Sequence, residues 1–255
     1  MPNPVIDCLM NHRSIRKFKP DPIEPETLDL ILRAGTRAAS AGNLQPYALV
    51  VIDDPKKLER MEVKAPAAII ALIDQYRLKR WFELNDAPFY NDQAINLFIS
   101  YWDAVIALQN IVIAAESLGL GTVYVGMILS TDVQELLGVP EYVAPAGLVF
   151  LGYPDESPQL RPRLPLEAVV HRNGYHIPTD DEIRSFYRDK DREWNEVSET
   201  KKHKLQEKGV YNYAQAITLG HYTPEFIKGE SQKLIANIKK AGFRLWEKRS
   251  KTKQE

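Results

Sequence analysis

The chain of 255 residues contains a single cysteine, Cys8, and carries almost no net charge. One cysteine excludes an internal disulfide and fits a reducing compartment. The 33 basic and 34 acidic residues leave a formal net charge of −1, which excludes a general attraction to nucleic acid or to an anionic membrane surface. The N-terminal residues also lack the charged-then-apolar pattern of a signal peptide. We therefore expect a cytoplasmic protein whose partner is a small molecule.

Long apolar runs are missing too, because no uninterrupted stretch of about 18 apolar residues occurs. The longest apolar segment, residues 93–118, is broken by Asn96, Asp103 and Glu116, so we do not expect it to span a membrane. Its apolar residues cover most of a helical wheel, which predicts a helix buried on more than one side. We expect this helix to be the central spine of the fold.

Shorter apolar segments flank the spine on both sides along the chain. Residues 25–39 are predicted to form a helix that begins at Pro25. Residues 47–52, 65–73 and 146–151 are predicted to form buried strands, because each apolar run is too short for an isolated helix. Strands and helices therefore share one core.

The segment 74–92 is polar and weakly periodic but rich in aromatic residues. These are Tyr76, Trp81, Phe82, Phe89 and Tyr90. The pattern favours either a mobile aromatic lid or a surface loop packed on the core.

The composition changes at Asp180, since more than half of residues 180–208 are charged. We therefore divide the chain into residues 1–178 and a charged helical extension, residues 179–255. A last helix is predicted over residues 225–248, with an apolar stripe that must dock either on its own core or on a partner subunit. Its basic end, residues 239–253, is interpreted as a solvated helix end rather than a nucleic-acid site.

Two basic segments can together bind a phosphate group. In the first, Arg13 and Arg16 flank Ser14, and guanidinium forks bind phosphate oxygens in pairs while the hydroxyl adds a neutral donor. In the second, Arg161 and Arg163 lie two apart in a proline-rich segment, so an extended chain would point both to one side. An amide-rich turn, residues 40–46, lies between these segments in the sequence. The three features together favour a flavin.

Four short motifs occur in order along the chain: RSIRKF at 13–18, SAGNLQP at 40–46, GLGTVYVG at 119–126, and GYP at 152–154 leading to RPRLP at 161–165. In this order and spacing they resemble the FMN-dependent nitroreductase family, over residues 12 to about 170. The match thins out after His176. One departure is His12, which stands where many members carry a second arginine; we interpret it as a surface or cap histidine.

The resemblance implies an α+β fold in which a mixed or antiparallel central sheet is packed by helices. It also implies an obligate homodimer with two FMN sites at the interface, each lined by both subunits. By the same resemblance, Arg13, Ser14 and Arg16 hold the FMN phosphate together with a second-segment arginine, either Arg161 or Arg163.

The resemblance assigns the remaining cofactor contacts to two other motifs. Asn43 and Gln45 would reach polar atoms of the ribityl chain or the ring. Ser40, with Pro46, would shape the same wall from the partner subunit. The backbone of Val125 and Gly126 would face the ring near its reactive nitrogen.

The chain shows no nucleophile paired with a base and no metal-ligand cluster. His171 and His176 are five residues apart, which is not the spacing of a helical metal pair. The glycines of the third motif do not form a dinucleotide fingerprint, because a helix precedes them; Gly119 and Gly121 are predicted to be a helix C-cap and a tight turn. Catalytic residues are therefore not expected, and the chemistry would be carried by FMN.

The sequence thus predicts a homodimeric FMN flavoprotein that takes a hydride from NADH or NADPH and reduces a nitroaromatic, quinone or related flat acceptor by a ping-pong mechanism. Two alternatives stay open. One is a flavoenzyme of the same fold that uses reduced FMN in oxygen-dependent, dehalogenating or desaturating chemistry. The other is a non-catalytic dimeric scaffold. Neither nucleic acid nor a membrane is an expected partner.

Overall fold

A computed structural model describes residues 3–245 except residues 60, 62 and 196. The chain forms two compact units. The first contains the residues up to Gln159 and those from Gln232 onward, and the second contains Leu160–Ser231. The boundary predicted after residue 178 falls inside the second unit.

The first unit is built on a four-stranded antiparallel sheet with the strand order β1-β2-β4-β3. The strands are β1 (Tyr47–Ile52), β2 (Ala67–Asp74), β3 (Gly121–Tyr124) and β4 (Val143–Gly152). The two central strands are almost continuously apolar and buried, because both faces of the sheet are covered. The three strands predicted from the sequence are confirmed, with ends that differ by a few residues.

Strand β4 begins earlier than predicted because it continues through a bulge. The pairing of β2 with β4 shifts between Ala71 and Leu72, where Gly147 and Pro145 are the respective partners. A proline has no N–H to donate to the ladder, so a bulge is one of the few positions in a sheet that accepts it.

Six helices precede or connect these strands in the first unit. They are α1 (Pro4–Met10), α2 (Pro25–Thr36), α3 (Pro55–Leu58), α4 (Gln75–Glu83), α5 (Ala94–Ser117) and α6 (Val133–Leu137). Helices α1, α2 and α3 each begin with proline, whose fixed φ and missing N–H suit the first turn. The predicted helix 25–39 is confirmed and ends at Thr36.

Helix α5 is the spine of the first unit, as predicted. It contacts all four strands as well as α1 and α2. Only one of its faces is buried in the chain, however, and the opposite face exposes large apolar side chains: Ile95, Phe98, Trp102 and Ile106. The part of the chain that the structure describes therefore does not bury a second side of α5.

Among the described residues, α5 is also the one helix that is long and apolar enough to cross a membrane by length and composition, with 24 residues and a mean hydropathy of 1.6. One of its faces packs against the sheet.

The segment 74–92 is more ordered than its sequence pattern indicated. Its first half is helix α4, which begins where the Asp74 carboxylate accepts a hydrogen bond from the Arg77 N–H. Farther along, the Asn91 side chain donates to the buried Gln75, and the ring of Phe89 packs edge-on against Tyr142 at 5.2 Å. The sequence did not predict α4, because this helix buries only a narrow stripe that includes Gln75 and Leu78.

The last helix, α10 (Pro224–Lys240), ends earlier than predicted. Gly242 has a φ of +89° and reverses the chain, which lets the Phe243 N–H donate to the Ile238 carbonyl. Phe243 is then buried in the core of the first unit. This end of the stripe thus docks on its own core, while residues 246–248 of the predicted helix, including Trp246, lie outside the described residues.

The second unit is helical. It contains α7 (Asp180–Asn195), α8 (Glu199–Gln206), α9 (Tyr213–Gln215) and the first turns of α10, which continues into the first unit. Its charged residues lie largely on the surface and form short-range pairs such as Arg184 with Asp181. A few apolar residues, including Trp194 and Val210, are buried within it.

Candidate active site

The first basic segment, residues 12–18, is attached along the edge strand β3. The Ile15 N–H donates to the Thr122 carbonyl at 2.8 Å, and Ser14 forms a parallel bridge with Thr122. Phe18 bridges to Pro154 just after β4. The segment is therefore held to the sheet at both of its ends.

Gly121 allows this attachment. A Cβ at this position would stand 2.6 Å from Cγ1 of Ile15 and 2.8 Å from its Cβ, closer than real side chains approach. Ile15 is itself buried, so its side chain fills the space that a Gly121 side chain would need. The prediction that Gly121 forms a tight turn was wrong: it is the first residue of a strand. Gly119, with a φ of +83°, is the residue that ends α5.

The three predicted phosphate ligands of this segment keep free donors. Arg13 donates to two backbone carbonyls, those of Asn11 and Pro158, and the Arg16 side chain is exposed. Within the described part of the chain, no carboxylate pairs with either guanidinium group, and the Ser14 hydroxyl forms no hydrogen bond. These groups are available to bind an anion.

Glu156 fixes the backbone between these donors. Its Oε1 accepts the N–H of Arg16 at 2.5 Å and that of Lys17 at 3.1 Å. The Arg16 N–H is the main reason that the pKa of the Glu156 carboxyl lies below its ordinary value, followed by the Lys17 N–H. The carboxylate thus binds the main chain and leaves the cationic side chains unpaired.

A second polar network lies beneath the segment. Glu116, on the last turn of α5, has an Oε1 atom that accepts from Thr122 Oγ1 at 2.7 Å and lies 2.8 Å from His12 Nδ1. One ring nitrogen of His12 is therefore engaged with a protein carboxylate. The pKa of the nearby Cys8 thiol is raised, mainly by burial of the thiol and to a smaller extent by the negative charge of Glu116.

A groove of about 560 Å³ opens beside this network. Arg13, Glu116, Glu156 and Gly121 contribute to its lining, together with residues of α1. The groove carries both signs of charge, since the carboxylates of Asp7, Glu116 and Glu156 line it along with one guanidinium group, that of Arg13.

The amide-rich turn at residues 40–46 has an unusual backbone. Gly42, Asn43 and Gln45 have φ values of +59°, +54° and +47°. Two of these are not glycine, and such residues adopt the left-handed region only where their surroundings hold them there. Strain of this kind is found most often at binding sites.

Two charged side chains hold the turn from opposite ends. The buried carboxylate of Asp103 accepts the Ser40 hydroxyl at 2.7 Å and the Ala41 N–H at 3.0 Å. At the other end, Arg77 donates to the Gln45 carbonyl at 2.5 Å and to the Tyr47 carbonyl at 2.9 Å. The strained turn is thereby anchored to both α5 and α4.

The predicted contact residues of the turn differ in what they offer. The Gln45 amide already donates to the Thr36 carbonyl and to the Tyr47 hydroxyl. Ser40 uses its hydroxyl within the turn, whereas the Asn43 side chain is exposed and makes no hydrogen bond among the described residues. Of the three predicted ligands Ser40, Asn43 and Gln45, Asn43 is the one whose side chain forms no hydrogen bond among the described residues.

Val125 and Gly126 lie directly after β3. The Val125 N–H donates to the Leu148 carbonyl, which extends the sheet by one bond, and Gly126 begins a short helical turn, Gly126–Ser130. No atom lies within 4 Å of the position that a Gly126 Cβ would occupy. The backbone here is open to a flat ligand.

Arg161 and Arg163 belong to the second unit and are exposed. Arg163 Nη1 donates to the Arg161 carbonyl, and neither guanidinium group pairs with a carboxylate among the residues that the structure describes. They keep the free donors that a phosphate needs.

Sequence reasoning missed the anchors of the site: Glu156, Asp103 and Arg77. Each acts on a segment at least 30 positions away, through a backbone group in every case. The one signal available for Asp103 was a carboxylate on an otherwise apolar helix. In the described ranges, His, Cys, Asp and Glu side chains form no group that could hold a metal ion.

The architecture and the site together define an α+β protein with unpaired cationic side chains along a sheet edge. A sequence profile of the Nitroreductase family matches residues 9–153. The NADPH-flavin oxidoreductase of Vibrio harveyi is 35% identical over 194 residues, covering 72% of this chain and 80% of that protein. The FMN reductase (NADPH) of Bacillus subtilis is 31% identical over 192 residues, covering 70% and 77%.

A solved structure has the same fold. Nitroreductase A of Vibrio parahaemolyticus superposes with a TM-score of 0.78 at 30% identity, covering 95% of this chain and 99% of that one. The chain therefore belongs to the nitroreductase family. The predictions of family, of an α+β nitroreductase-like fold, of FMN as cofactor and of an NAD(P)H-dependent oxidoreductase are confirmed.

Proposed function

We propose that this oxidoreductase works as a homodimer in which Arg13, Ser14 and Arg16 bind the FMN phosphate. The observation that carries the proposal is a segment of free cationic donors fixed to a sheet edge in a chain of this family. Bound FMN supplies hydride chemistry, so the protein needs to supply only binding, orientation and electrostatics. The unpaired guanidinium groups and the free Ser14 hydroxyl fit the phosphate end.

The remaining contacts follow the same principle of free donors and open backbone. Asn43 offers an unpaired amide for polar atoms of the cofactor, while Val125 and Gly126 offer open backbone to its ring. Arg161 or Arg163 adds a further guanidinium group to the phosphate. Ser40 and Gln45 would shape the wall of the FMN site rather than bind the cofactor through their polar groups, since these groups already form hydrogen bonds within the protein.

The dimer is supported by the uncovered apolar surface of the first unit. On α5, Phe98 is 64% and Trp102 is 69% exposed. The neighbouring helix α1 adds further exposed apolar side chains: Val5, Ile6, Leu9 and Met10. A patch of this extent on two adjacent helices is typical of a protein interface. A second copy of the chain would bury it and supply the second side that α5 lacks.

We assign NADPH as the preferred donor, because relatives with about a third identity carry that donor in their names. Flat conjugated molecules such as nitroaromatics, quinones or free flavins are the proposed acceptors. Donor and acceptor would occupy the same open space beside Gly126 in turn, which gives a ping-pong mechanism. The partly exposed free thiol of Cys8 agrees with a cytoplasmic location.

The cofactor assignment is tested by removing one guanidinium group from each basic segment. Arg13→Ala combined with Arg163→Ala should yield protein that loses its flavin during purification, measured as the ratio of flavin to protein absorbance. Arg33→Ala is the matched control, since this arginine pairs with Asp29 on the surface of α2. Full flavin occupancy in the double variant would contradict the phosphate assignment.

A further inference from the structure

Asp103 is a buried carboxylate whose placement is not explained by an ion pair. It is 5% exposed and lies on the buried face of α5. Both of its hydrogen bonds, from the Ser40 hydroxyl and the Ala41 N–H, end on Oδ2. No cationic side chain pairs with it in the part of the chain that the structure describes. Burying a carboxylate without a counter-charge is costly, so the groups that it binds are the reason to look for a role.

Those groups belong to the strained turn. After donating to Asp103, the Ser40 hydroxyl accepts the Gln45 N–H at 2.8 Å. The Oδ2 atom of Asp103 therefore holds both ends of residues 40–45. It binds the Ala41 N–H at the start directly, and it holds the Gln45 N–H at the end through the Ser40 hydroxyl. Between these two points lie Gly42 and Asn43, both in the left-handed region.

The strain shows that the turn needs this support. A non-glycine residue such as Asn43 adopts a positive φ at a cost that the surrounding bonds must offset. Without the bonds from Asp103, residues 40–45 would relax towards ordinary backbone angles. The exposed Asn43 amide would then lose its fixed direction.

We propose that Asp103 is a positioning residue for flavin binding: through Ser40 and Ala41 it fixes the turn that presents Asn43 to FMN. Ser40 acts as the relay between the carboxylate and Gln45. The proposal rests on the proposed function, because it assumes that Asn43 contacts the cofactor. It assigns Asp103 no contact with FMN.

The test is an FMN titration of the apoprotein, followed by the quenching of flavin fluorescence. Asp103→Ala should raise the Kd for FMN at least tenfold. Asp103→Asn should restore an affinity within about threefold of the unchanged protein, because the amide oxygen can replace Oδ2 and accept both hydrogen bonds. If Asp103→Asn instead binds as weakly as Asp103→Ala, the charge rather than the hydrogen bonds is responsible and the proposal is overturned.

Ser100→Ala is the matched control for a loss of stability alone. Ser100 is buried one turn earlier on α5 and accepts a hydrogen bond from the Gln75 side chain at 2.7 Å. This variant should lower the melting temperature of the apoprotein while leaving the Kd for FMN within twofold. Parallel losses of affinity in the Asp103→Ala and Ser100→Ala variants would overturn the proposal.

Ser40→Ala provides a second route if Asp103→Ala does not fold. It removes the relay without removing the carboxylate, and the Kd should again rise several-fold. Where Asp103→Ala folds, its combination with Ser40→Ala should bind FMN no more weakly than Asp103→Ala alone, since both substitutions break one hydrogen-bond path; a fully additive loss would contradict the relay. Unchanged protein that fails to bind FMN would refute the proposed function itself, whereas equal binding by all variants would refute only the role of Asp103.

Discussion

Gly121→Ala should lower both the stability of the protein and its affinity for FMN, because the new methyl group would clash with Ile15. The new Cβ would lie 2.8 Å from the Ile15 Cβ, and ordinary van der Waals contact begins at 3.4 Å. Ile15 must therefore retreat by about 0.6 Å, and a change of side-chain rotamer cannot provide this because a Cβ moves only with the main chain. The main chain of residues 14–16 therefore has to shift away from strand β3.

The energetic cost of this displacement can be bounded. Overpacking a well-filled core costs about 1–3 kcal/mol, which corresponds to a loss of roughly 2–12 °C in melting temperature for a chain of this size. The 2.8 Å hydrogen bond from the Ile15 N–H to the Thr122 carbonyl would also lengthen and weaken. Because Ser14 and Arg16 flank this residue, we expect the Kd for FMN to rise at least tenfold, or about 1.4 kcal/mol.

Gly35→Ala is the control for a loss of stability alone, since it creates a similar clash away from the proposed phosphate site. Its Cβ would stand 2.5 Å from Ile111 Cγ1, between α2 and α5. We expect a comparable drop in melting temperature, measured by differential scanning calorimetry, but an unchanged Kd for FMN. If Gly121→Ala loses stability and still binds FMN as tightly as the unchanged protein, the attachment of the basic segment to β3 does not set the phosphate site.

Two further predictions concern the dimer and the end of α10. Trp102→Glu should convert the protein to monomers in size-exclusion chromatography with light scattering, because it places a charge in the exposed apolar face of α5; a persistent dimer would rule out that face as the interface. Lys240 is the main cause of the lowered pKa of the Asp132 carboxyl, so this pair stabilises the fold above the ordinary aspartate pKa of about 3.9. The stability advantage of the unchanged protein over Lys240→Gln in urea unfolding should be present at pH 7 and disappear as the pH falls through the lowered pKa; an advantage that persists at the lowest pH would contradict the ion pair.

The elements that the sequence predicted well are those with the most apolar sequences. Strand β2 is a nearly continuous apolar segment and helix α5 is apolar over most of its length, and such segments have few alternatives to packing in the core. Helix α4 was missed for the opposite reason. It is strongly polar, and its position depends on the Asp74 carboxylate at its first turn and on Arg77 bonds to residues 45 and 47.

The candidate site likewise has features that the sequence predicted and features that it missed. Motif order was sufficient to identify the family and to predict a phosphate-binding segment, because each motif is local in the sequence. The contacts that fix those motifs are not local: Asp103 acts across more than 60 positions and Glu156 across about 140. A single sequence contains no signal that pairs such residues. For the same reason the role of Gly121, which is to leave room for Ile15, could not be distinguished from that of a turn glycine.

The central claim is that this chain binds FMN and uses it to oxidise a nicotinamide donor. An anaerobic absorbance spectrum of the FMN-reconstituted protein, recorded before and after addition of NADPH and then in parallel with NADH, tests it most directly. We expect absorbance bands of protein-bound oxidised flavin at about 370 and about 450 nm that bleach on addition of NADPH. Bands that persist with both donors, or protein that retains no flavin after gel filtration, would contradict the claim.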